Sequence, residues 1–216
     1  MDFAQARLNM IEGQIRTNRV TDQFVLDALD ELPREAFVPD ALKSLSYVDE
    51  DIQVGAGRIL MEPMVMARLM QAAAIEETDL ALVIAAATGY EAAAIAKIAS
   101  AVIAVESDVA MAHTATEHLA EQGADTVTVV QDDLTVGNAD HGPYDVIFIN
   151  GAVDAVSAAI LDQLSDGGRL VCVKTAKGMD KAVLITKTDG VVSETELFDA
   201  NIPALAEFKA ETTFTF

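Results

Sequence analysis

From Asp79 onward the chain alternates short, unbroken apolar runs with helix-like stretches, and this alternation restricts the fold more than any other feature. The runs lie at 80–86, 101–106, 126–131, 144–150 and 168–174, and the helical stretches between them at 90–99, 108–122 and 152–164. Strands that are apolar on both sides must be covered on both faces, which calls for a parallel sheet flanked by helices. Crossovers between such strands are right-handed. Residues 182–188 and 191–198 then read as two further strands joined at Asp189-Gly190, a tight hairpin signal. The expectation is an α/β protein with a Rossmann-like seven-stranded sheet, mostly parallel, ending in a hairpin.

Residues 1–75 read differently. Segments 4–17 and 22–32 space their apolar residues at three and four, as amphipathic helices do. Thr21-Asp22 suits a helix N-cap and Pro33 a stop. A further turn is expected at 40–45, a loop at 52–60 because of Gly55 and Gly57, and a helix at 64–73 opened by Pro63. The expected organisation is a helical extension over 1–75 packed on a Rossmann-like domain over 76–216, one compact unit overall. A length of 216 residues with 51% hydrophobic content suits one such domain.

Several function classes are disfavoured. There is no apolar run long enough for a membrane helix, and the charged N-terminus does not resemble a secretory leader. A single cysteine, Cys172, fits a reducing compartment, so a cytoplasmic location is expected. The formal net charge of −21 repels phosphate backbones and anionic lipid, which argues against nucleic acid or membrane as primary partners.

In a doubly wound sheet, ligands bind at the carboxyl ends of the strands near the switch point. The first strand-to-helix turn there is usually glycine-rich, so that bare backbone can turn tightly and approach the ligand. Here it reads Ala85-Ala86-Ala87-Thr88-Gly89-Tyr90, with glycine only at Gly89. Glu106 ends the second strand, where a carboxylate can accept hydrogen bonds from both ribose hydroxyls. Asp132 follows the third strand, within reach of an adenine amino group. Either acid could equally be a solvated loop carboxylate. An alanine held in a left-handed conformation costs about 1–2 kcal/mol, so Ala85 and Ala87 either strain this turn or reshape it.

An ordered set of short motifs carries a family resemblance. Met10 to Arg16 (MIEGQIR), Pro33-Arg34, Phe37-Val38-Pro39, Gly55-Ala56-Gly57, Pro63, Gly89-Tyr90, Val105-Glu106, Pro143 to Ile147 (PYDVI) and Leu161 to Leu170 (LDQLSDGGRL) resemble the protein-L-isoaspartate O-methyltransferases in the right order. The resemblance implies a class I S-adenosylmethionine-dependent methyltransferase fold, S-adenosylmethionine as cofactor, and as acceptor a protein or peptide carboxylate, the isoaspartyl side chain of damaged proteins. Cofactor contacts would come from Ala85, Ala87, Gly89, Tyr90, Glu106 and Asp132. The acceptor loop would contain Gly57, Arg58, Ile59 and Met61. The family's loop carries threonine and serine where this chain has Ile59 and Met61. Arg58 could clamp a carboxylate, or sit at the surface paired with a nearby acid.

Two functional readings follow. One is protein-carboxyl methyl transfer by descent, weak or altered. The other is a catalytically inactive pseudoenzyme that kept the fold and acts as a binding or regulatory partner, with the Met-rich stretch Met61, Met64, Met66 and Met70 as a partner surface or homodimer interface; core packing is the plainer reading of those methionines. No metal site is expected: His113 and His118 are five apart on one helix, where ligands want three or four. Cys172 reads as a buried hydrophobe, and Asn150-Gly151 is not the Pro-Pro-Tyr-type motif of amide or base methylation.

Overall fold

The computed structural model describes residues 1–209; the end of the unit expected over 76–216 lies outside the described residues. A seven-stranded sheet runs in the order β5-β4-β3-β6-β7-β8-β9. Its strands are β3 (Leu80–Ile84), β4 (Ala101–Glu106), β5 (Val127–Gln131), β6 (Tyr144–Val153), β7 (Leu164–Lys174), β8 (Lys181–Thr188) and β9 (Val191–Asp199). The first five pair in parallel, and β8 and β9 are antiparallel. The sheet and terminal hairpin are those read from the apolar runs. The strand order reverses beside β3, which places the switch point at the carboxyl ends of β3, β4 and β6.

Central strands such as β3 (LALVI) are buried on both faces because each face meets its own apolar layer. One layer holds Leu82, Ile147, Leu164, Leu170 and Leu205. The other joins Val83, Phe148 and Val171 to residues of the N-terminal extension, including Met10, Ile15, Leu29 and Phe37. The extension supplies α1 (Phe3–Met10), α2 (Gln23–Glu31) and α3 (Pro63–Ala73). Asp22 caps α2 by accepting from the backbone of Phe24 and Val25, as its sequence position suggests. Met61, Met66 and Met70 are fully buried in this layer, with Met64 partly so, which removes them as a partner surface.

Three expectations about local structure are corrected. Residues 52–60 form a β-hairpin, β1 (Ile52–Gly55) and β2 (Arg58–Leu60), and not a loop. Ala56 and Gly57 both take positive φ, so the glycines that read as breakers serve a tight turn between strands. The helix expected over 152–164 shrinks to α6 (Ala158–Asp162). Strand β6 runs on to Val153 because the backbone of Ala152 is held by Pro203 and Leu205 from the C-terminal segment, at 3.0 and 2.8 Å. The first helix gives way after Met10 to a π turn (Ile11–Ile15) and a 3₁₀ turn (Arg16–Asn18).

Candidate active site

Strand β3 ends at the turn that leads into α4 (Tyr90–Ala96). Ala85 and Ala87 hold φ of 61° and 51°, and Gly89 of 96°. The turn therefore follows a glycine-type path with a methyl group at two of its left-handed positions, at about 1–2 kcal/mol of strain each. The Ala86 amide donates to the Val105 carbonyl and the Gly89 amide to the Ala86 carbonyl, which locks the turn against β4. All three alanines are buried.

Glu106 sits at the carboxyl end of β4 with no solvent exposure. Its carboxylate accepts from three backbone N–H groups: Ala87 at 3.0 Å, Ser107 at 2.8 Å and Asp108 at 3.0 Å. Arg58, from β2, lies across the same carboxylate. Its Nε is 3.1 Å from both Oε1 and Oε2, and its Nη2 is 3.1 Å from Oε1. That Nη2 also donates to Glu207 at 2.7 Å and to the Ser107 hydroxyl at 2.9 Å. A carboxylate offers about four acceptor positions, and these donors take them all. Burial opposes the charge on Arg58, but its bonds to Glu106 and Glu207 outweigh that and raise its pKa. The Glu207 carboxyl is held low: burial works against its ionisation, and the Arg58 bond overcomes it.

The expected surface position of Arg58 is thus corrected. It is paired with acids, as one reading had it, but only 3% exposed. Ile59 and Met61 are buried too. The Met61 backbone is engaged by Arg34 and Glu91, the latter a buried carboxyl pushed up to about 7, mainly by burial. Gly57 lies in the exposed hairpin turn. Tyr90 packs edge-on against Phe37, with its centroid 5.3 Å away, and under the Arg34 guanidinium at 5.0 Å, so its ring serves the N-terminal extension. Asp132 is exposed and lines an open cavity of about 550 Å³ with Ser107, Gln131, Asp133, Thr135 and Glu207. The structure brings Arg58, Ala87 and Glu106 into direct contact and puts Asp132 on the neighbouring cavity.

Two residues of this crest went unpredicted as participants. Asn150, at the end of β6, donates from Nδ2 to the carbonyls of Ile59 and Ala85, each at 3.3 Å, tying β2 to the alanine turn. Its Oδ1 and the Thr88 hydroxyl are buried with no partner among the described residues. Glu207 arrives from a short 3₁₀ turn (Ala206–Phe208) far along the chain, and no local pattern marks it. Among the other candidates, His118 Nδ1 lies 3.2 Å from the Thr88 carbonyl, and the Cys172 thiol is pushed up to about 12 by burial.

The switch-point crest, the acid ending β4 and the strand order define a Rossmann-like class I methyltransferase architecture. A family model described as protein-L-isoaspartate(D-aspartate) O-methyltransferase matches residues 5–203, and the chain belongs to that family. It is 32% identical to the protein-L-isoaspartate O-methyltransferase of Koribacter versatilis over 94% of this chain and 91% of the relative. It is 33% identical to that of Roseiflexus castenholzii over 99% and 97%. A solved protein-L-isoaspartate O-methyltransferase superposes with a TM-score of 0.82 at 24% identity over 92% of this chain, which spans 65% of that one. A Plasmodium falciparum structure, titled as a putative family member in complex with S-adenosyl-L-homocysteine, superposes with a TM-score of 0.79 at 17% identity, covering 93% and 98%.

Proposed function

We propose that this chain is a protein-L-isoaspartate O-methyltransferase of the cytoplasm whose acceptors are protein or peptide carboxylates and whose methyl donor is S-adenosylmethionine, and that the described conformation is a closed one. The observation that carries this reading is the family match across nearly the whole chain. Within the site it is supported by Glu106, which keeps the position of a ribose-binding acid, and by the open cavity beside Asp132 where an adenine would lie. The unpartnered Asn150 Oδ1 and Thr88 hydroxyl point the same way, because a buried polar atom without a partner costs about 1–3 kcal/mol and favours a state in which it finds one.

The cofactor does not fit the residues as they are arranged here. A ribose diol and the Arg58 guanidinium need the same two oxygens of Glu106, and the methyls of Ala85 and Ala87 occupy a turn that works best bare. No chemical step is therefore routed through it. What the chain itself offers the reaction is orientation and water exclusion, since an acceptor carboxylate is already a nucleophile.

The second reading, a catalytically inactive binding partner, is not favoured over the first by any observation, the burial of Ile59 and Met61 included. Methylation of isoaspartyl peptides with radiolabelled S-adenosylmethionine separates the two. Turnover above that of heat-inactivated protein supports the first; its absence across isoaspartyl peptides, in protein that binds the cofactor, would leave the second.

A further inference from the structure

Leu205 donates its amide to the Ala152 carbonyl at 2.8 Å and is buried against Gly151. Gly151 has φ of 153°, and a Cβ there would lie 2.6 Å from Leu205 Cγ. The glycine at the end of β6 is thus the seat of the segment. Two residues further on, Glu207 reaches Arg58 at 2.7 Å and the Ser107 hydroxyl donates to it at 3.3 Å. Arg58 comes from the β1–β2 hairpin, 149 residues before Glu207, and ends on Glu106. Segment, arginine and ribose-type acceptor form one continuous chain of contacts over the carboxyl ends of the sheet.

We infer that Arg58, held by Glu207 of the C-terminal segment, is an internal occupant of the ribose-binding position, so that the nucleoside of the cofactor is admitted only when this latch opens. The inference rests on the reading that the crest is a cofactor site. Three features support the latch. The guanidinium satisfies the carboxylate in the bidentate manner that a diol would otherwise use. Its second partner, Glu207, is partly exposed, which gives solvent and ligands a place to begin opening it. Glu106 keeps its three backbone donors without Arg58, so the acceptor survives the opening intact. The apparent affinity of a ligand falls in proportion to the fraction of molecules that are open. A latch closed in more than about nine molecules of ten therefore weakens binding at least tenfold.

The test is calorimetric titration of S-adenosylhomocysteine into the full chain, with Arg58→Ala and Glu207→Gln measured beside it and each fold checked by circular dichroism and thermal melting. The expected result is at least tenfold tighter binding by Arg58→Ala and an intermediate gain, about threefold, by Glu207→Gln. Equal affinity in a folded Arg58→Ala variant and the native chain overturns the latch. Should Arg58→Ala not fold, the Glu207→Gln result decides alone, and an unchanged affinity there overturns it. Failure of the functional reading shows elsewhere. If the opened variant binds the ligand but methylates no isoaspartyl peptide, the latch stands and the acceptor assignment falls; tight native binding with turnover does the reverse.

Discussion

The crest has two ends that differ sharply. Around Asp132, Ser107 and Thr135 it is open and acidic, with a cavity of about 550 Å³. Around Ala85, Ala87, Arg58 and Asn150 it is closed, and every one of those side chains is buried. One side of the crest is an open acidic cavity, while the other is filled by the chain's own side chains. The two ends differ in what a substitution costs: an exposed carboxylate is replaced at little cost, whereas each methyl or guanidinium at the closed end has to be packed and bonded.

The largest expected effect tests how firmly the closed end is held. Gly151→Val places branched carbons where Leu205 Cγ would lie 2.6 Å from Cβ, and it should lower stability by about 3 kcal/mol in urea unfolding while exposing residues 203–208 to proteolysis. An unchanged midpoint would mean that the segment is not seated there.

Next comes Glu91, the buried carboxyl near the closed end, whose pKa of about 7 lies above its unfolded value through burial first. A raised carboxylate pKa means that the folded state is penalised as pH rises from about 4.5 through 7, and fully so above that. Glu91→Gln should then add on the order of 2 kcal/mol at pH 8 and almost nothing at pH 4. A pH-independent difference would break this account.

A smaller gain should follow from relieving the turn. Ala85→Gly and Ala87→Gly each remove left-handed strain but add chain entropy to the unfolded state, for a net of about 0.5–1 kcal/mol per site. Thermal melts of both single variants would expose a wrong sign at once. At the open end, Asp132→Asn should change stability by less than about 0.5 kcal/mol, while weakening S-adenosylhomocysteine binding in the Arg58→Ala background. A large stability loss there would erase the contrast between the two ends.

Much of this could be read in advance. Strands β3 to β7 showed as apolar runs, the β8–β9 hairpin as Asp189-Gly190, and the α2 cap as Asp22. Glu106 and the alanine turn stood out because position after a strand is a local property. The hairpin at 52–60 was missed because glycine marks both loops and tight turns, and only a partner strand distinguishes them. The shortening of α6 was missed because the competitor for the Ala152 backbone lies in the segment after Pro203.

The family and the strand-helix alternation were legible in the sequence, since periodicity and motif order are written along the chain. That Arg58 lies on Glu106, that Glu207 joins it, and that Ile59 and Met61 turn inward came from long-range packing. The physical reason is range. A strand's pattern is fixed by neighbours two residues away, whereas a buried charge is acceptable only where the whole fold delivers its counter-charge, here from positions 48 and 149 residues further along the chain.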